Sequence, residues 1–150
     1  AKIMNLKQQL DNDVIVSMKA KDSFKTKLLR NLQSKIKQVE VDTQQSVNEE
    51  QILTVLQKQI KQRKESFQIF KDNNRKDLAD IEEQELIILE SYLPKQMDEE
   101  TLTLIVKSTI DSLEATSMKD MGRVMTAIKQ DTTGKADPSK VSSLVKEYLK

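Results

Sequence analysis

The chain has 150 residues, 37% of them hydrophobic and 33% charged, with a net charge of +1, enough for one moderate core or two small ones in a globular protein. The absence of cysteine excludes disulfides, thiolate metal sites and a cysteine nucleophile, and the absence of histidine removes the usual general base and the commonest metal ligand. No apolar run approaches the ~20 residues of a membrane span and the amino terminus shows no signal-peptide h-region, so the expectation is a soluble cytoplasmic protein with no membrane partner.

Two glycines, two prolines and 3% aromatic residues, set against many Leu, Ile, Lys, Gln and Glu, predict an all-α fold, because straight-chain side chains lose little rotamer freedom in a helix. Charge is unevenly spread: residues 1–74 carry +5, residues 75–114 carry −7 and residues 115–150 carry +3. Two explanations stay open, an acidic helix neutralising a basic neighbour within the fold, or a surface for a partner.

Ile3, Leu6, Leu10, Val14 and Met18 define a first amphipathic helix that stops near Lys21-Asp22. Asp22 caps a second, whose inner stripe is Phe24, Leu28, Leu32, Ile36 and Val39 and whose outer face carries Lys25, Arg30, Lys35 and Lys37. The polar run Asp42–Ser46 ends it. Asn48 with Gln51 reads as a capping box and Val47 with Ile52 as a hydrophobic staple, which starts a long third helix at about residue 49. Ile52, Leu56, Ile60, Arg63, Phe67 and Phe70 run down one of its faces, with Lys58, Lys61, Lys64 and Lys71 nearby.

After the turn Asp72-Asn73-Asn74, Leu78, Ile81, Glu85, Leu89 and Tyr92 mark a fourth helix ended by Pro94 and expected to pack antiparallel to the third. Its acidic set, Asp80, Glu82, Glu83, Glu85 and Glu90, would then face the basic third helix and choose the pairing register, since exposed ion pairs contribute only about 0–1 kcal/mol each. Paired carboxylates also serve acid–base catalysis, but a glutamate-rich helix face is far more often solvated surface.

Denser punctuation beyond Pro94 divides the chain into an N-terminal four-helix unit with a long helical hairpin, residues 1–94, and a small three-helix tail unit, residues 95–150. Met97-Asp98 before Leu102 opens a fifth helix through Ile105, Val106, Ile110 and Leu113. Ser117 and Asp120 open a short sixth through Met121, Val124, Met125 and Ile128. Gly122 lies inside it at a cost of about 1 kcal/mol relative to alanine, which close packing, the simpler reason, or close approach of a partner should offset. Asp137-Pro138 begins a seventh helix with Val141, Leu144, Val145, Tyr148 and Leu149.

Val55–Ser66, Asn74-Arg75, Asp77-Leu78, Glu82-Glu83 with Glu85, and Ile88–Gln96 resemble the signature of YqeY-like proteins, which belong with the GatB/YqeY superfamily. The likeness covers nearly the whole chain. Gly122-Arg123-Val124-Met125 and Gly134-Lys135-Ala136-Asp137-Pro138 are also similar to the tail domain of the glutamine-dependent aspartyl/glutamyl-tRNA amidotransferase B subunit. Two departures stand out: Asp137 replaces the usual asparagine, and Gln130–Thr133 lengthens the expected loop and adds Asp131.

That tail domain contacts tRNA in its family, so the resemblance implies RNA binding from about residue 115 onward. The sequence shows no Gly-rich phosphate loop, metal-ligand cluster or activated nucleophile, so the expectation is a noncatalytic tRNA-binding accessory module with no cofactor, no metal and no catalytic residue. Lys119, Arg123, Lys129, Lys135 and Lys140 would contact phosphates, with Gly122 and Gly134 allowing close backbone approach. The ordinary alternative for these lysines is solvated helix surface. Two other functions stay in view: a protein-interaction module docking on a synthetase or amidotransferase through the third helix, and a subunit of a carbon–nitrogen ligase using glutamine as amido donor.

Overall fold

The computed structural model describes residues 5–149 and contains, among them, seven α-helices, one 3-10 turn and no strand. The order is α1 Leu6–Lys19, α2 Ser23–Thr43, α3 Glu49–Asp72, α4 Lys76–Glu90, α5 Glu99–Ser112, the 3-10 turn Met118–Asp120, α6 Met121–Thr132 and α7 Pro138–Tyr148. The fold is all-α, as the composition predicts. It divides into two compact units, Ala1–Leu93 and Pro94–Lys150.

In the first unit, helix starts follow from local side-chain chemistry. Asn5 and Asn48 each complete a capping box with the glutamine three residues on, and Asp22 accepts from the Lys25 amide; each satisfies amides that the first helical turn leaves without partners. Val47 packs against the core that buries Ile52, which is the expected staple. The core is built from Leu10 and Val14 of α1, Leu28, Leu29, Leu32 and Ile36 of α2, Ile52, Leu56 and Ile60 of α3, and Leu86 and Leu89 of α4, closed by Tyr92.

Three of the residues expected on the inner stripes, Met18, Phe24 and Ile81, are exposed instead. Ile3 lies outside the described residues. Met18 is 48% exposed and Ser17 takes the inward place, because at 3.6 residues per turn position i+7 from Leu10 stays on the buried face while i+8 has rotated away. The Ser17 hydroxyl bonds the Val14 carbonyl at 2.9 Å and the Thr26 hydroxyl at 2.7 Å, so the inward polar group is satisfied. Phe24 sits in the opening turn of α2 and is exposed, whereas Leu29 is fully buried.

α3 and α4 form the long hairpin. The buried residues of α3 stop at Ile60, and the following three turns carry no fully buried side chain. Where the sequence leads to a ladder of surface ion pairs between these helices, the structure shows one half-buried pair: Arg63 Nε donates to Glu85 Oε2 at 2.7 Å. Arg63 Nη1 also donates to Gln59 Oε1 at 2.8 Å, and Gln59 is itself buried. Asp80 instead pairs within its own helix, with Lys76. Only positions on the mutual seam, not the whole charged sets, can meet across an antiparallel hairpin. Tyr92 locks the unit's end, its hydroxyl donating to Asp13 Oδ2 on α1 at 2.6 Å.

The second unit is a three-helix core of Leu102, Val106 and Ile110 from α5, Val124 and Ile128 from α6, and Val141, Leu144, Val145 and Leu149 around α7. Lys140 reaches Glu99 at 3.9 Å and Lys107 lies 4.9 Å over the Tyr148 ring. Both contacts share one register, so α5 and α7 run parallel. Tyr148 is consequently at the surface, and the last inward position of the α7 stripe belongs to Leu149.

Candidate nucleic-acid interface

α6 begins differently from the expected capping box. Ser117 Oγ accepts from the Lys119 amide, opening the 3-10 turn, and Asp120 reaches back to accept from the Thr116 amide at 3.0 Å. α6 proper then starts at Met121 without a side-chain cap. Its buried positions are Val124, Ile128 and Thr132. The opposite face is set by the helical period: Gly122, Arg123, Thr126 and Lys129 stand on it, with Lys119 one turn earlier, and all are exposed.

The two glycines separate here. Gly134 has φ 77°, a left-handed conformation that favours glycine, and it closes α6: the Lys135 and Ala136 amides both return to the Thr132 carbonyl, at 2.9 and 3.1 Å. Gln96 Nε2 donates to the Gly134 carbonyl at 2.7 Å and the Met97 amide to the Lys135 carbonyl at 2.8 Å. Gly134 is therefore required by the fold. At Gly122 an added Cβ would meet nothing within 4 Å, so the close packing expected to explain this glycine is absent. Its carbonyl accepts from the Thr126 hydroxyl at 2.9 Å on the same open face.

The charges sort into three settings. Arg123 Nη2 pairs with Asp120 Oδ1 at 3.1 Å, and the Asp120 carboxyl is held below its usual range, first by the Thr116 amide and then by Arg123. Lys140 belongs to the first turn of α7 and is paired with Glu99. Lys119, Lys129 and Lys135 are exposed, and none has a carboxylate within 4 Å among the described residues. The structure thus groups Lys119, Gly122, Arg123 and Lys129 on one face, leaves Gly134 and Lys135 in the following turn, and engages Lys140 elsewhere. Backbone donors at α7 are reduced, since Asp137 takes the Ser139 amide at 2.8 Å and Pro138 has none.

The residues Gln130–Thr132, read as part of a lengthened loop, are the last turn of α6. They continue the helix so that Gln130 joins the exposed face, while Asp131, also exposed, lies about 100° farther round. Sequence reasoning missed Thr126, Gln96 and the Asp120–Arg123 pair. The i, i+3 spacing of Asp120 and Arg123 was the available signal for that pair.

Residues 7–149 match the family described as YqeY-like protein. The chain belongs to this family. YqeY-like proteins are related to the C-terminal region of the amidotransferase B subunit, in keeping with the tail segment above. Among curated relatives, a protein of Vanderwaltozyma polyspora named "Altered inheritance of mitochondria protein 41, mitochondrial" is 34% identical over 147 residues, covering 93% of this chain and 80% of its own. Proteins of the same name from Kluyveromyces lactis, 32% identical over 94% of this chain and 80% of theirs, and Clavispora lusitaniae, 29% identical over 97% and 88%, are also similar to it.

These names correct the expectation of a cytoplasmic protein, since the YqeY-like relatives are named as mitochondrial. Absence of an apolar h-region bears only on secretory signals, since mitochondrial transit segments are amphipathic and Arg- and Ser-rich. Among the described residues no helix is long and apolar enough to cross a membrane.

Proposed function

We propose that this YqeY-like protein is a noncatalytic tRNA-binding accessory module, with the mitochondrial names of its relatives making the mitochondrion the compartment to test. The observation that carries the reading is the exposed face of α6. It joins Lys119, Arg123 and Lys129 to a helical glycine that neither backbone conformation nor internal packing requires. A helix interior glycine costs about 1 kcal/mol, and a smooth, cationic ridge is what a phosphate backbone can approach closely. With one aromatic residue in the tail unit, Tyr148, base stacking has little to offer and the contact is to shape and phosphate.

The test is binding of the full chain to bulk tRNA across a salt series. Phosphate neutralisation by Z cations gives a log–log slope of roughly −0.7Z to −0.9Z. The triple variant K119E/R123E/K129E should abolish measurable salt-sensitive binding while leaving the helical content unchanged. Absence of tRNA affinity in the parent chain at low salt would sink the reading.

One observation favours a second reading, docking on an amidotransferase or synthetase: Ile69, Ile81 and Ile87 of the hairpin are 59%, 43% and 66% exposed. A mainly apolar protein contact would be far less sensitive to salt. Participation in a carbon–nitrogen ligase that uses glutamine as amido donor would take the same form, as an accessory to chemistry carried by another subunit.

A further inference from the structure

We infer that the corner joining α1 to α2 docks on an anionic phospholipid surface. α1 ends at Lys19 and α2 begins at Ser23, with Lys21 reversing the chain at φ 59°. Around this corner Ile15, Val16, Met18 and Phe24 are 51%, 55%, 48% and 38% exposed. Interleaved with them are the cations Lys19, Lys21, Lys27 and Arg30, none with a carboxylate within 4 Å among the described residues. Asp22 is the only acidic residue between positions 15 and 30, and its carboxylate is occupied by the Lys25 amide. Arg30 Nη2 lies 3.1 Å from Met18 Sδ, holding a guanidinium against the apolar side chain. Between them lies a groove of about 530 Å³, lined by Met18, Lys21, Ser23, Thr26, Lys27 and Arg30.

The arrangement selects among partners. Nucleic acid would use the cations but gains little from Ile15, Val16 and Met18, and Phe24 alone makes no stacking platform. A partner helix wants a narrow apolar stripe. On α1, however, Val16 and Met18 lie on either side of Ile15, so the apolar side chains spread around the exposed circumference of the helix's last turn. A tip of this kind, apolar side chains ringed by lysines whose stems reach past them, matches the bilayer interface, where headgroup phosphates meet acyl chains. The groove then offers cations and the Ser23 hydroxyl to a headgroup phosphate.

The experiment is flotation of the full chain with vesicles of phosphatidylcholine alone and of phosphatidylcholine mixed with phosphatidylserine, at low and physiological salt. Binding to the mixed vesicles and not to the neutral ones is expected. The variant K21Q/K27Q should bind them about 30-fold more weakly, from about fivefold per lysine. V16S/M18S, at two exposed positions, should also weaken vesicle binding without lowering the melting temperature. The inference is overturned by equal partition onto neutral vesicles, by no partition at low salt, or by indifference to both double substitutions. It is overturned in favour of RNA if K21Q/K27Q lowers affinity for bulk tRNA while V16S/M18S leaves vesicle binding intact. Displacement from vesicles by a glutamate-rich amphipathic peptide whose own binding V16S/M18S abolishes would reassign the corner to a protein partner.

Discussion

The two units solve the same problem, ending and seating helices with few glycines, by different chemistry. In the N-terminal unit the caps of α1 and α3 are amides, Asn5 and Asn48, and the polar anchors point inward: Arg63 to Glu85 and Gln59, Tyr92 to Asp13, Ser17 to Thr26. In the tail unit Asp98 and Asp137 cap α5 and α7, Asp120 serves the turn before α6, and its ion pairs are exposed. The first unit has partly buried anchors on its seams in addition to exposed pairs such as Lys76–Asp80. The ion pairs of the tail unit, among the described residues, lie at the surface, where a partner and the solvent can both reach them.

The sharpest way to break this contrast is to remove an inward anchor. Arg63→Ala leaves Glu85, with only 22% of its side chain exposed, and the buried Gln59 short of their donor, and should cost about 2–4 kcal/mol by chemical denaturation, since a stranded, largely buried charge is the expensive outcome. Tyr92→Phe deletes a single hydrogen bond to a carboxylate without changing shape and should cost about 1.5–2 kcal/mol. Burial, then the bond to Asp13, pushes the Tyr92 hydroxyl well above its ordinary range, so ultraviolet titration of the phenols should show one tyrosine that resists ionisation in the native protein and not in Tyr92→Phe.

Acid should act with opposite sign on different helix turns. Asp98 and Asp120 are held below the usual aspartate value of 3.8, chiefly by the Thr101 side chain and the Thr116 amide respectively. A lowered folded value means stability present above 3.8 and lost as pH falls through the folded value. Glu82 on the hairpin is raised, by burial and then by Glu85; its contribution is full below the ordinary glutamate value of 4.5 and is lost as pH rises through the folded value. Asp77, in the first turn of α4, is lowered as well, first by its hydrogen bond from Arg75, so amide exchange measured from pH 6 downward should show α5, the start of α6 and the first turn of α4 loosening while the Glu82 turn of α4 holds. Asp98→Asn, which keeps the cap as an amide, should remove the α5 part of that response. Loosening of the Glu82 turn ahead of the start of α5 would contradict the assignment.

Local grammar was the legible part of this chain. Asn48 with Gln51, Asp98 before Leu102 and Asp137-Pro138 are decided within one helical turn, so their starts are readable in order. What needed coordinates is set by tertiary register. The inward turn of Ser17 in place of Met18, the full burial of Leu29, and the choice of Glu85 from five acidic candidates each depend on which face a neighbour covers. The candidate interface shows the same divide. Its cations could be named from the sequence. Their grouping on one face of α6, the engagement of Lys140 by Glu99, and the different reasons for Gly122 and Gly134 could not.

Gly122→Ala is the smallest perturbation and the most discriminating. Because a Cβ there meets nothing within 4 Å and the residue is helical, alanine should stabilise the tail unit by about 0.5–1 kcal/mol through lower unfolded-state entropy and better helix propensity. A glycine that lowers stability and serves no packing is expected to serve contact. The same substitution should thus weaken tRNA binding even though no charge is changed and the fold is firmer. If Gly122→Ala raises stability and leaves tRNA affinity and its salt slope untouched, the close approach is to something other than the phosphate backbone, and Lys119, Arg123 and Lys129 revert to ordinary solvated surface. If it lowers stability, an unseen constraint acts at this position, and the openness of the α6 face is no longer an argument for a partner.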